Sequence, residues 1–194
     1  MNIVYMVLLL LSVMILLDKK FYRILVYSVT FNLIVAVMSL EIEMVSGSIL
    51  FLFGCVFFPL LMWFAIEKCE KVEREGVKEL AAFTVISISA LFFFLTSIGI
   101  GFDHMMLFII FAFSLISLLT AKNLLKFLFI FDVAENTLIL MAYSFFSANL
   151  LTNLPAVVFI EMATFLPLVL LTYLTIHMFK KYRSLNPWHL WQSP

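Results

Sequence analysis

Charge is scarce in this 194-residue chain: Asp, Glu, Lys and Arg together make up 12% of it, against 65% apolar residues. That leaves far too little polar surface to clothe a soluble globule, so lipid must cover most of the molecule. Neither sign of charge dominates, the formal net charge being zero with 12 basic and 12 acidic residues. The basic residues stand in short clusters between apolar runs, which offers nucleic acid no continuous face. The two cysteines, Cys55 in an apolar run and Cys69 in a charged stretch, have a spacing that suits neither a disulfide framework nor a metal site. Five glycines are few for a membrane chain, so helix contacts have to be made by the 23 Phe and by Leu, Ile and Met. Catalytic signatures are missing as well: there is no HExxH, CxxC, GxSxG or Gly-rich phosphate loop, and no His pair at helical spacing for haem. No catalytic residue, metal or cofactor of its own is expected, and any chemistry belongs to partners.

What the chain has in abundance is long apolar runs. A bilayer core of about 30 Å needs roughly 20 apolar helical residues. Seven runs fit, at 2–17, 24–44, 48–66, 80–100, 105–121, 124–147 and 155–179. They are too long and too uniformly apolar for the short alternating strands of a barrel, and backbone groups in hydrocarbon have to be satisfied within the segment. The expected fold is an all-α polytopic membrane bundle of seven transmembrane helices. The first run has no basic stretch before it and no small-residue cleavage site, so it is expected to be a retained span.

The connections between runs alternate sides, and every Lys and Arg falls in or beside an odd-numbered one: Lys19, Lys20, Arg23; Lys68, Lys71, Arg74, Lys78; Lys122, Lys126; and Lys180, Lys181, Arg183 in the tail. The positive-inside rule then places the amino terminus outside and the carboxyl terminus in the cytoplasm. The expected location is therefore the cytoplasmic (inner) membrane, crossed several times. The mixed-sign segment Glu67–Glu79 reads as a solvated loop or a helical extension on the inner side.

Nine of the twelve acids lie in connections or at their rims, which leaves Asp132, Glu135 and Glu161 inside apolar runs. An intramembrane carboxylate costs about 2.5–3.5 kcal/mol even on the insertion scale. Asp132 and Glu135 are three apart and Asn136 follows Asp132 at i+4, so the three share one helix face. At helical rise from Leu124, Asp132 lies roughly 12 Å and Glu135 roughly 16 Å into the span, bracketing the bilayer middle. Two carboxylates so close in low dielectric resist joint ionisation. A group that exchanges between neutral and charged forms is what a proton relay needs; the alternative is that these acids only hydrogen-bond neighbouring helices. Asn32 in the second run suits an interhelical hydrogen bond. Pro59 and Pro167 lie inside runs, where each frees a carbonyl for water or a neighbouring polar group.

From Ala121 the chain reads AKNLLKFLFIFDVAENTLILMAYSF, then a charge-free turn, then NLPAVVFIEMATFLPLVLLTYLTIHMFKKYRSLNP. This resembles the three-helix small subunit of respiratory complex I, the K or 4L subunit, and more closely component E of hydrogenase-4. The seven-span layout is similar to component E along the whole chain, with the complex I likeness confined to the last third. The resemblance divides the chain into 1–120, five N-terminal spans, and 121–194, a K/4L-like helix pair with a cytoplasmic tail. It sets Asp132 at the buried glutamate of the complex I subunit's second helix, and Glu135 with Asn136 on the Glu-Asn pair of component E. Two departures stand out. The complex I subunit's second glutamate falls on Phe165, with Glu161 one turn outward, and Gly54 stands where component E tends to carry a lysine before the proline of its third span.

What the resemblance implies is a non-catalytic membrane subunit of an energy-converting hydrogenase or formate hydrogenlyase-type complex. Its proton or sodium relay residues would be Glu135, Asp132, Glu161 and Asn136. Its partners would be antiporter-like and redox-arm anchor subunits and a peripheral iron–sulfur and nickel hydrogenase module. The competing expectations are a stand-alone secondary transporter, for which no repeated halves are visible, and a scaffold whose acids fix helix register.

Overall fold

The computed structural model describes residues 2–42, 44–69, 101–121, 123–145 and 154–186. Among them every regular element is helical, as apolar runs of this length predict. α1 spans Asn2–Leu17, α2 Phe21–Ile42, α3 Met44–Leu50 and α4 Phe58–Lys68, with the π-helical segment Phe51–Phe57 joining the last two into one rod. Then come α5 at Phe102–Thr120, α6 at Leu124–Phe145 and α7 at Leu154–Tyr182. Six of the seven predicted runs are therefore helical, and the run at 80–100 lies outside the described residues. Three segments, Phe21–Glu41, Gly47–Lys68 and Met162–Tyr182, are long and apolar enough to cross a membrane; Ile3–Leu17 and His104–Leu119 are apolar but shorter.

The break between the second and third runs falls earlier than their limits at 44 and 48 predict, because α2 ends at Ile42 and α3 already begins at Met44. The chain doubles back there. Gly47 lies against Leu40, Asn32 against Gly54, and Tyr22 against Trp63 and Glu67, which is the register of an antiparallel hairpin. A Cβ on Gly47 would sit 2.5 Å from Leu40 N and 2.7 Å from Leu40 Cα. Only glycine allows that approach.

Hairpin contacts also join α1 to α2 and α5 to α6, and α6 packs on α1, α2, α5 and α7. Leu125, Leu128, Phe129, Val133 and Leu140 of α6 are buried. The lipid-compatible surface lies elsewhere: Ile3, Met6 and Leu10 of α1, Leu60 and Trp63 of α4, and Leu166, Leu170 and Tyr173 of α7 are more than half exposed. Such an inside-out pattern is what hydrocarbon permits. As the glycine shortage requires, aromatic bulk fills the interior: Phe21, Phe31, Phe58 and Phe129 are fully buried, and Phe58 meets Phe129 edge to face at 5.9 Å.

The start of α6 has all four of its leading amides satisfied. Leu125 and Lys126 donate to the Asn123 side-chain oxygen (2.9 and 3.4 Å), Phe127 to the Asn123 carbonyl (2.9 Å), and Leu124 to the carbonyl of Leu185 in the tail (3.1 Å). The tail is in reach because α7 stops at Tyr182, after which Arg183 takes a left-handed backbone (φ 55°). Lys126, expected at the membrane rim, is instead 3% exposed, its ammonium donating to the Asp18 carbonyl at 3.0 Å. A long stem lets the charge reach the α1–α2 turn while its methylenes stay covered.

These contacts place the α1–α2 turn, the end of α4, the start of α6 and the end of α7 together. All described basic residues therefore gather at one end of the bundle. Replacement Gly47→Ala is expected to destabilise the bundle by about 1–3 kcal/mol through overpacking against Leu40, read as a melting temperature lowered by several degrees in detergent. An unchanged melting temperature would contradict this hairpin register.

Candidate functional site

The polar stripe of α6 turns inward. Asp132 is 3% and Asn136 6% exposed, and they face Asn32 and Ser28 of α2, themselves 2% and 0% exposed. Asp132 Oδ2 accepts from the Ser28 hydroxyl at 3.0 Å and from Asn32 Nδ2 at 2.9 Å. Asp132 Oδ1 lies 3.3 Å from Asn136 Nδ2, which also reaches the Asp132 carbonyl at 3.0 Å and Asn32 Oδ1 at 3.2 Å. Three side-chain donors thus converge on one carboxylate. Hydrogen bonding of this density is what an anion needs away from water.

Asn32 has a second amide proton, and it goes to the Gly54 carbonyl at 3.0 Å. That carbonyl is available for a covalent reason. In the π segment the Phe58 amide bonds back five residues to the Phe53 carbonyl; the next donor in that pattern, for Gly54, would be residue 59, which is proline and has no N–H. Asn32 supplies the missing proton. Glycine at 54 also makes the approach feasible, because a Cβ there would lie 3.2–3.3 Å from the Asn32 side chain. The sequence expectations that Asn32 is an interhelical hydrogen-bond donor and that Pro59 frees a carbonyl for a polar neighbour meet in this one contact.

Glu135 has a different setting, one turn further along α6. It is partly buried, and the Thr164 hydroxyl of α7 donates to it. Beside this pair is a cavity of about 20 Å3, walled by Asp132, Glu135 and Asn136 of α6, Thr164, Phe165 and Leu168 of α7, and Phe53, Gly54 and Phe58 of the rod. That is room for about one water molecule, with several polar partners at hand. The aromatic wall is continuous: the Phe165 ring lies 5.3 Å from Phe53 and 6.1 Å from Phe57.

Three of the expected residues, Asp132, Glu135 and Asn136, thus surround one cavity. Glu161 falls on α7, with its side chain outside the described residues. Phe165, the position that the resemblance assigns to a glutamate, does reach the cavity, but as an aromatic wall. Ser28, Thr164 and the Gly54 carbonyl belong to the site without having been singled out beforehand. Ser28 carried a signal, being one turn from Asn32 on the same face of α2.

Asn32→Ala leaves the Gly54 carbonyl without its proton and takes one donor from Asp132. It is expected to cost about 1–3 kcal/mol, measured as loss of thermal stability in detergent. Stability equal to the parent would mean that Asn32 does not join α2 to the rod and α6.

No protein-family model, no curated protein and no solved structure matches the chain.

Proposed function

We propose that the chain is a non-catalytic membrane subunit of an energy-converting hydrogenase or formate hydrogenlyase-type complex, and that it contributes buried carboxylates to proton (or sodium) translocation. The observation that carries this reading is Glu135 beside a one-water cavity, backed by the hydrogen-bonded Asp132 cluster. An acid placed between a hydroxyl and a water site has a path by which a proton arrives and leaves. The component E resemblance of residues 121–194 supplies the class of complex.

In this reading seven helices cross the inner membrane, with the amino terminus outside and the carboxyl terminus in the cytoplasm. Asp132 then lies nearer the cytoplasmic end and Glu135 about one turn deeper. Glu161 stands toward the outer face, as the outer member of the series. A rearrangement in the complex favours loss of a proton from Glu135 through the cavity water, and reprotonation follows from the opposite aqueous phase. Asp132, tied by three donors, holds the local charge and helix register; Glu135, with fewer ties, carries the proton. The partners in this reading are antiporter-like and redox-arm anchor subunits and a peripheral iron–sulfur and nickel module, which performs the redox chemistry.

Glu135→Gln keeps the shape and loses the exchangeable proton. In the assembled complex it is expected to abolish ion-coupled turnover, followed with a pH-sensitive dye in proteoliposomes, while subunit composition stays unchanged. Normal coupling would sink the relay assignment, and ion transport by the isolated chain in liposomes would favour a stand-alone transporter. Orientation is tested separately in a background where Cys55 and Cys69 are serine. A Lys181→Cys variant should react with an impermeant thiol reagent from the cytoplasmic side alone and Glu41→Cys from the outer side alone; the reverse pattern would invert the topology.

A further inference from the structure

We infer that the crevice where α1 meets α2 binds the headgroup of an anionic phospholipid, with an acyl chain lying along the outer face of α1. The crevice, about 610 Å3, is lined by Met14, Leu17, Asp18, Lys19, Lys20 and Arg23. Its charge is only partly balanced, because one carboxylate, Asp18, stands against three cations, Lys19, Lys20 and Arg23. Asp18 Oδ1 accepts the Lys20 amide at 2.9 Å, and Oδ2 accepts the Tyr27 hydroxyl at 3.4 Å and lies 3.9 Å from Arg23 Nη1. The Asp18 side chain is 17% exposed against 61% for Arg23. Lys19 and Lys20 are exposed as well, so three cations front the crevice while the carboxylate serves the turn.

The surface next to the crevice determines which anion fits. Ile3, Met6, Leu10 and Leu17, spaced three, four and seven apart, form an exposed apolar stripe along α1 that runs into the basic crevice. A free phosphate ion has no use for that stripe. A phospholipid matches both parts, with phosphate oxygens among the two ammonium groups and the Arg23 guanidinium and hydrocarbon against the stripe. The crevice also sits at the foot of α2, so Ser28 lies about 12 Å further along the helix than Lys20. The inference does not depend on the relay reading.

Native mass spectrometry of the detergent-solubilised full chain, offered phosphatidylglycerol and phosphatidylcholine with the same acyl chains, tests it. The parent is expected to retain phosphatidylglycerol at least about tenfold more strongly, from roughly fivefold per cation. The Lys19→Gln, Lys20→Gln double variant should lose most of that preference, whereas Lys19→Arg, Lys20→Arg and the separate Lys180→Gln, Lys181→Gln variant should keep it. An equal response to both lipids, a preference undiminished in the double Gln variant, a preference lost in the Arg variant, or displacement of phosphatidylglycerol by millimolar inorganic phosphate would overturn the proposal.

Discussion

Asn32 on α2 and Asp132 on α6 meet through a 2.9 Å hydrogen bond deep inside the bundle, and most of the surrounding arrangement follows from what that contact requires. A carboxylate at this depth is costly unless donors surround it, hence Ser28 and Asn136. The amide that serves it has a second proton, which needs an acceptor in turn. Gly54 offers one because Pro59 cannot, and it can come close because it has no Cβ. Two residues without ordinary backbone chemistry, one lacking a proton and one lacking a side chain, therefore anchor a site built from ordinary polar groups.

The bundle separates its apolar surface from its polar groups by position. α6 holds Lys126, Asp132, Glu135 and Asn136 and is surrounded by other helices, while α1, the rod and α7 present Leu, Phe, Trp and Tyr outward. Within the interior the two acids differ in how they are held. Asp132 is fixed from several directions at once; Glu135 has a hydroxyl on one side and space on the other. A carboxylate held by three donors and one that faces a cavity are thereby kept a single helical turn apart.

The helices and the acidic stripe were legible because both rest on local rules: run length against bilayer thickness, and three-to-four spacing on one face. The limits of reading appear where register between helices decides. Nothing local says that Asn32 will meet Gly54, since that pairing depends on how α2 and the rod are set against each other. Thr164 carried no signal at all. Threonines in apolar helices ordinarily bond back to their own helix, as Thr30, Thr137, Thr172 and Thr175 do here, and only tertiary packing singles out the one facing Glu135. The burial of Lys126 was hidden likewise, because its acceptor is a backbone carbonyl 108 residues away.

The Leu185 carbonyl that receives the Leu124 amide has a mechanical meaning. The end of one helix and the beginning of another are clasped by a main-chain hydrogen bond, with the Leu185 side chain buried beside it, at the end of the bundle where the basic residues collect. Through that hydrogen bond and the buried Leu185 side chain, the segment after α7 is fastened directly to the helix that bears the acids.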